Sequence, residues 1–354
     1  MQQSKNPWMK HSLIGAALAL ASCSAWADRT VTDMAGRSVQ IPDQIQRVYA
    51  VGHCIPIVGA VAPKLLANNY RLQPKAKDFL SPLLYENKVT PSTGNRLSDE
   101  EVVKMAPDLV FMEQMPGAAE RADRLAARLK VPVLLVDLNV YQYPQAFQFL
   151  GDVLNQPQQA QALTDFVNQH LYPIAERAKS IPETERKRVY YAEGPDGLFT
   201  NPAGSSHTQV LDLIGAVNVA KVTQLPDEGM SAVSLEQLYL WQPEYILVWT
   251  PAADQLTTWK AIVHNPLWQS VKAVREHQVI QIPWLPFSWF DRPPGSNLIL
   301  GVFWLADRLY PEVYSLKLNE LVREYVRLFY HREISEADVK YLLSLTNPAQ
   351  PRPH

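Results

Sequence analysis

Residues 97–111 read LSDEEVVKMAPDLVF, and residues 233–248 repeat the pattern as VSLEQLYLWQPEYILV. Each copy begins near a serine that can cap a helix, Ser98 or Ser234, with acidic residues in the first helical turn. A proline then stops the helix, and an apolar run typical of a buried β-strand follows. Each copy therefore predicts one αβ unit of a parallel sheet.

Between the two copies, residues 143–179 carry no strand signal, and large apolar residues recur there at helical spacing. The sequence therefore predicts an α/β fold of two parallel-sheet lobes, joined by a long connector helix and facing each other across a ligand cleft. We expect this helix to kink near Pro157 or Pro173.

The chain is expected to divide into consecutive segments. They are a signal peptide at 1–27, an N-terminal lobe at 28–141, the connector helix at 142–180, a C-terminal lobe at 181–346 and a disordered tail at 347–354. Within the lobes we expect an opening hairpin over 28–43, strands at 47–51, 131–136, 188–192 and 279–282, and helices at 117–130, 297–310 and 316–330.

The N-terminal segment has the features of an export signal. Two lysines precede an apolar run at 13–21, and Ala25-Trp26-Ala27 is an A-x-A cleavage site. We therefore expect Sec export to the periplasm and a mature, soluble chain that begins near Asp28. Lipoprotein processing, with Cys23 as the lipid-anchored N-terminus, is the alternative.

The composition is that of an ordinary globular protein. Of the 354 residues, 47% are hydrophobic and 19% are charged, and the formal net charge is −2. This weak charge balance argues against nucleic acid as a partner. If Cys23 leaves with the signal, Cys54 is the remaining thiol, so no intramolecular disulfide is expected. We expect a monomer without a cofactor.

Several short motifs follow one another in a characteristic order. They are Val31-Thr32-Asp33 with Gly36-Arg37 and Ile41-Pro42, the strand entries Pro107-Asp108 and Pro243-Glu244, Gly215-Ala216-Val217-Asn218-Val219-Ala220, and Val233-Ser234-Leu235-Glu236-Gln237. Through them nearly the whole mature chain resembles the class III periplasmic substrate-binding proteins of ABC importers, which serve ferric siderophores, haem, cobalamin and related metal compounds. The resemblance implies two lobes bridged by a long helix and docking onto an inner-membrane ABC permease with its ATPase.

Within that family, residues 190–220 and 286–292 are more similar to the branch that includes molybdate binders and uncharacterised iron-complex binders. The resemblance therefore leaves the ligand open.

Glu100 and Glu236 hold equivalent positions in the repeat. In the proteins that the chain resembles, one acidic residue of each lobe pairs with arginines of the permease, so the resemblance implies docking for these two. The alternative interpretation is that each is an ordinary acid at a helix N-terminus.

Ligand contacts are expected where strands end, because open α/β sheets bind ligands beyond the carboxyl ends of their strands. In the first lobe these positions hold His53 and Glu113. His53 is also a candidate metal ligand, alone or with the adjacent Cys54. The alternatives are a solvated strand end for Glu113 and simple burial for Cys54.

In the second lobe, Tyr191 and Trp249 end predicted strands. Ser205, Ser206 and His207 lead into a helix whose N-terminus suits an oxyanion or a chelator carboxylate. Ser206 is the expected N-cap, and His207 is a possible metal ligand. Core packing of Trp249 and a surface position for His207 are the alternatives.

The segment 284–292 contains the densest aromatic cluster, in which Trp289 and Arg292 are the leading candidates for ligand contact. Aromatic faces beside a guanidinium suit a flat anionic chelate. Alternatively, Asp291 pairs with Arg292 and the rings close the core of the lobe.

The leading hypothesis is a periplasmic receptor for a metal chelate, a ferric siderophore in the first instance, and capture of an oxyanion such as molybdate is the alternative. Bare zinc or manganese is less expected, because the chain has no His-rich loop. An exported enzyme on a similar scaffold is the remaining hypothesis. The sequence contains none of the G-x-S-x-G, H-E-x-x-H, GxxxxGK[ST] and GxGxxG motifs that would favour one.

Overall fold

The computed structural model describes residues 28–92, 96–223, 229–251 and 255–346. The strands are β1 (Asp28–Thr32), β2 (Ser38–Pro42), β3 (Val48–Ala50), β4 (Leu109–Glu113), β5 (Val133–Val136), β6 (Arg188–Ala192), β7 (Phe199–Thr200), β8 (Val217–Asn218), β9 (Ser231–Ala232), β10 (Tyr245–Val248) and β11 (Val279–Gln281). The helices are α1 (Cys54–Val61), α2 (Asp99–Met105), α3 (Ala118–Leu129), α4 (Tyr143–Val153), α5 (Pro157–Phe166), α6 (Tyr172–Ala178), α7 (Gln209–Leu213), α8 (Leu235–Trp241), α9 (Thr257–Val263), α10 (Lys272–Arg275), α11 (Leu298–Leu309), α12 (Pro311–Tyr314), α13 (Leu318–Phe329) and α14 (Glu336–Ser344). The expected signal peptide at 1–27 and tail at 347–354 lie outside the described residues.

A parallel sheet in the order β3-β4-β5 forms the centre of the first lobe. Isolated bridges from Val48 to Leu66 and from Asn68 to Val89 extend it beyond β3. All residues of β3 and β5 are buried, as expected for parallel strands that are covered on both faces. β1 and β2 pair in antiparallel fashion, which confirms the predicted opening hairpin.

The two repeat copies fold alike. Ser98 caps α2 by accepting a hydrogen bond from the Glu101 backbone N–H, and the Glu101 side chain accepts one from the Ser98 N–H. Ser234 and Gln237 form the same capping box on α8. Both helices end at a residue with positive φ directly before the proline, and β4 and β10 follow. The predicted αβ units are confirmed.

The connector predicted over 142–180 is divided into helical pieces. After α4 the chain turns through Asn155, at a φ of 55°, and Pro157 then begins α5. The break falls here because proline lacks the N–H that a helix interior requires but fits the first turn. α5 continues through a π-helical turn at Val167–Leu171 into α6, whose second residue is Pro173. The break therefore lies beside Pro157 and the π-helical turn beside Pro173, and the sequence predicts a kink near one or the other of these prolines.

The second lobe is built on a parallel sheet in the order β11-β10-β6-β8. The strand predicted at 188–192 is β6, and the helices predicted near 297–310 and 316–330 are α11 and α13. α14 was not predicted. In the described ranges, no helix is both long enough and apolar enough to cross a bilayer.

Candidate ligand-binding site

A cavity of about 520 Å³ lies between the two lobes. Small-molecule sites commonly measure about 300–1,000 Å³. The first lobe contributes Gly52, His53, residues 70–73 and Arg96, and the second contributes residues 249–251, Trp284, residues 286–288 and residues 292–294. Many of these residues follow β3, β10 and β11 at their carboxyl ends, the edge at which open α/β sheets bind ligands.

His53 and Glu113 form a pair on the first-lobe side. His53 precedes α1, and its Nδ1 lies 2.6 Å from Oε2 of Glu113, the last residue of β4. A carboxylate in this position orients the imidazole, as it does for many metal-ligating histidines. The neighbouring Cys54 is buried, and this burial, followed by the charge of Glu113, raises the pKa of its thiol well above the usual range. Cys54 therefore remains a protonated thiol and a poor metal ligand.

Tyr70 was not identified from the sequence, yet it joins the two walls of the cavity. Its hydroxyl donates a hydrogen bond to the Gly52 carbonyl at 2.5 Å. Its ring meets the ring of Phe287, from the other lobe, edge to face with centroids 6.1 Å apart. A weak signal for Tyr70 lies in the sequence, because it closely follows the short run Leu65-Leu66-Ala67, part of the segment that bridges to β3 through Leu66.

Arg71 and Arg96 were also missed. Arg71 donates through Nη2 to the carbonyls of Pro91 and Ser92, each at 2.8 Å, which fixes its guanidinium at the wall. Arg96 lines the same cavity. Both lie in irregular segments, whose course the apolar periodicity of a sequence does not reveal.

Arg292 brings positive charge to the second-lobe wall. Its Nη2 donates to Glu193 Oε1 at 2.8 Å, and its Nε lies 3.1 Å from Asp291 Oδ2. The guanidinium carbon is 5.2 Å from the centroid of the Trp249 ring, within the range of a cation–π contact. Burial alone would lower the pKa of Arg292, but Asp291 and the other acidic groups raise it above its ordinary value. The group is therefore always a cation.

A buried polar network lies behind this arginine. Asp291 accepts a hydrogen bond from the Tyr191 hydroxyl at 2.6 Å and lies 2.7 Å from Nδ1 of His207. Glu193 accepts one from Asn201 Nδ2 at 2.6 Å. None of these residues is more than 3% exposed. Burial, and next the charge of Asp291, raise the pKa of Glu193.

Five of the predicted ligand contacts fall into two groups. His53, Trp249 and Arg292 line the cavity. Tyr191 and His207 belong to the buried network behind it. The alternative of a surface position for His207 was therefore wrong, since the residue is buried.

The predicted serines and Trp289 lie elsewhere. Ser205, not Ser206, is the N-cap, and its Oγ accepts a hydrogen bond from the His207 backbone N–H at 3.2 Å. The prediction was wrong by one residue because a 3₁₀ turn precedes α7. Trp289 is fully buried, and its indole N–H donates to the Leu285 carbonyl at 2.8 Å, so its ring packs in the core.

The two candidate metal ligands are not brought together, since His53 lines the cavity and His207 is buried against Asp291. Across the described parts of the chain, no group of three or more His, Cys, Asp or Glu side chains is arranged to hold a metal ion.

Glu100 and Glu236 lie on the first turns of α2 and α8 and do not line the cavity. Glu100 is exposed and pairs with Lys104 at 3.1 Å, one helical turn further on. At the position equivalent to Lys104, the second copy has Leu240, which is 84% exposed. The two acids therefore have different surroundings.

Comparison with known proteins gives three kinds of match. The family model described as periplasmic binding protein matches residues 42–284. An ABC transporter solute binding protein from Sulfurospirillum deleyianum has a solved structure that superposes with a TM-score of 0.79 at 32% identity, covering 89% of this chain and 98% of that one. The molybdate-binding protein MolA of Haemophilus influenzae is 28% identical over 360 residues, covering 91% of this chain and 96% of MolA. A vitamin B12-binding protein of Salmonella choleraesuis is 29% identical over 222 residues, covering 62% and 75% of the two chains.

Proposed function

Because the chain belongs to the periplasmic binding protein family, we propose that it is the substrate-binding component of an ABC importer and that it captures an anionic metal chelate, a ferric siderophore complex in the first instance. It delivers this ligand to an inner-membrane permease with its ATPase and performs no covalent chemistry. The similarity to the Sulfurospirillum protein, an ABC transporter solute binding protein, supports the transport role. Residues 1–27 are proposed to direct export to the periplasm, with lipid attachment at Cys23 as the alternative route.

The observation that carries the ligand proposal is the combination of guanidinium groups and aromatic rings in one cavity. Arg71, Arg96 and Arg292 line it, and none of the described residues of its lining is Asp or Glu. Guanidinium groups bind carboxylate and similar paired oxygens through two parallel hydrogen bonds. A cavity with this lining favours a ligand of negative charge.

The aromatic part of the lining favours a ligand with flat apolar surface. Tyr70, Trp249, Trp284 and Phe287 contribute rings to the cavity. Catechol-like arms of a chelator stack on such rings. The guanidinium next to Trp249 adds a positive charge there, which attracts an anionic ligand to this part of the cavity. A bare oxyanion would fill only a small part of the 520 Å³.

Within this site, we assign direct contact with the ligand to His53, Trp249 and Arg292. Glu113 orients His53 through the 2.6 Å hydrogen bond.

Molybdate is the second candidate. MolA, described as a molybdate-binding protein, is similar over 91% of this chain, a larger share than the vitamin B12-binding protein covers. The arginines of the cavity suit a tetrahedral oxyanion as well as a chelate.

Tryptophan fluorescence and equilibrium dialysis of the chain from Asp28 onward test these candidates. The ligands are ferric complexes of catecholate and carboxylate chelators, the same chelators without iron, haem, cobalamin and sodium molybdate. We expect saturable binding of a ferric chelate, weakened about tenfold or more in Arg292→Gln, because a charged hydrogen-bonding partner is lost. Arg124→Gln removes an exposed arginine of α3 and serves as the control.

If molybdate is the one ligand that binds, the proposed ligand is an oxyanion and not a metal chelate. Binding of an uncharged ligand alone, or equal effects of Arg292→Gln and Arg124→Gln, would contradict the anionic site.

A further inference from the structure

Asp291 is the centre of the buried network. Its Oδ1 accepts a hydrogen bond from the Tyr191 hydroxyl at 2.6 Å, and its Oδ2 lies 2.7 Å from His207 Nδ1 and 3.1 Å from Arg292 Nε. Tyr191 belongs to β6, His207 to the turn before α7, and Arg292 to the loop that follows β11. Three separate parts of the second lobe therefore meet at one carboxylate.

His207 contributes little else to the fold through polar contacts. Its side chain is 1% exposed, and among the described residues its Nε2 has no hydrogen-bond partner. The polar contact of this buried imidazole is made to Asp291. The ring therefore fixes the position of that carboxylate.

The charges of the network are arranged around Arg292. Glu193 and Asp291 lie 2.8 and 3.1 Å from its nitrogens, and the side chain keeps 19% exposure where it lines the cavity. A long side chain that is already ordered does not have to be ordered when the ligand binds, and this increases affinity. The two carboxylates supply that order.

We propose that Asp291 is a positioning residue, which holds the Arg292 guanidinium beside Trp249 before an anionic ligand arrives. Tyr191 and His207 hold Asp291 in turn, and so act on the ligand without touching it. The inference rests on the proposed function, because it takes Arg292 as a ligand contact.

β6 offers a matched control for the test. Tyr190 and Tyr191 are neighbours, both are fully buried, and both hydroxyls are hydrogen bonded. The Tyr190 hydroxyl, however, donates to the Gly197 carbonyl at 2.8 Å, and the ring packs in a different apolar cluster. The Tyr190 hydroxyl also lies 3.3 Å from the Phe199 carbonyl oxygen. Tyr191→Phe and Tyr190→Phe therefore each remove one buried, hydrogen-bonded hydroxyl, but only that of Tyr191 is bonded to Asp291.

The first measurement needs no ligand. In ¹⁵N-labelled protein, the Nε–H signal of Arg292 is assigned by its loss in Arg292→Lys. Because the Arg292 Nε lies 3.1 Å from Asp291 Oδ2 in an ion pair, we expect one sharp signal in the wild type and in Tyr190→Phe, and a shifted, broadened one in Tyr191→Phe and His207→Gln. An unchanged signal in the last two variants would overturn the proposal.

The second measurement uses a ferric catecholate and sodium molybdate as probes. Whichever probe the wild type binds, Tyr191→Phe should weaken its binding by about fivefold. Tyr190→Phe should weaken it by less than about twofold. In an Arg292→Gln background the effect of Tyr191→Phe should disappear, because no guanidinium remains to be positioned. Equal losses in the two tyrosine variants, or additive effects with Arg292→Gln, would contradict the proposal. If the wild type binds neither probe nor a ferric carboxylate chelate, the proposed function fails, and the Nε–H signal alone decides whether Asp291 holds Arg292.

Discussion

The Arg292 guanidinium lies over the indole ring of Trp249, 5.2 Å from the ring centroid. Trp249 directly follows β10, and Arg292 lies in the loop that follows β11, the strand paired with β10 in the sheet. Neighbouring parallel strands thus bring a fluorescent ring and a permanent cation to the same wall of the cavity. An anion that binds Arg292 will change the surroundings of that ring.

Trp249→Phe should therefore remove a large part of the fluorescence change that ligand binding causes, with Trp284, also in the lining, giving the remainder. Affinity should fall by no more than about fivefold, since phenylalanine keeps an aromatic face for the guanidinium. The measurement is a fluorescence titration with the ligand that the wild type binds. Trp268→Phe is the control, because Trp268 is 1% exposed in the core of the second lobe. A full signal in Trp249→Phe would show that the ligand binds elsewhere.

Local signals in the sequence were enough to predict much of the framework. Ser98 and Ser234 cap their helices as expected, because a capping box depends on residues within one helical turn. The strand-end rule also located His53 and Trp249 at the cavity, since the carboxyl ends of parallel strands share one edge, and the aromatic cluster at 284–292 pointed to Arg292.

The remaining parts depend on tertiary contacts that a single sequence does not display. Trp289 was expected at the ligand but is buried, because its loop packs closely on α11. Tyr70 and Arg71 reach the cavity from an irregular segment that bonds to distant backbone carbonyls. His207 was expected as a ligand contact or a surface residue, and its burial follows from its pairing with Asp291, far away in the sequence.

Glu236→Gln should reduce ligand uptake by cells more than Glu100→Gln does. Glu100 is partly neutralised by Lys104 at 3.1 Å, whereas the equivalent of Lys104 in the second copy is the exposed Leu240. Glu236 therefore offers more unbalanced negative charge to a basic permease surface, which steers association and selects the partner. The measurement is uptake of labelled ligand in cells that carry each variant in place of the wild type.

Both docking variants should bind the ligand with wild-type affinity, because neither glutamate lines the cavity. Uptake that falls equally in the two variants would refute the proposed asymmetry, and uptake that falls in neither would refute docking through these acids.

Gly301→Ala should destabilise the protein by roughly 2 kcal/mol or more and weaken ligand binding as well. A Cβ at position 301 of α11 would lie well inside van der Waals contact of the Trp289 carbonyl oxygen, so the loop that leads to Arg292 would have to move. Gly59→Ala in α1 is the control, because its Cβ would approach only the ends of the Leu84 and Leu66 side chains, which can shift. Urea unfolding and ligand titration measure the two effects. Equal destabilisation by the two changes would contradict this account of the loop.

The stability that Glu193 contributes should fall as the pH rises. Burial and the charge of Asp291 raise the pKa of Glu193 above its ordinary value of 4.5, so the folded state holds this proton more tightly than the unfolded state does. Above pH 4.5 the unfolded chain releases the proton first, and the free energy of unfolding then decreases until the pH passes the folded-state pKa. In Glu193→Gln the side chain at this position cannot ionise. The free energy of unfolding of the wild type, minus that of the variant, should therefore decrease as the pH rises through this interval. Urea unfolding of both proteins between pH 4 and 8 measures the difference, and a difference that stays flat or grows with pH would mean that folding does not raise the pKa of Glu193.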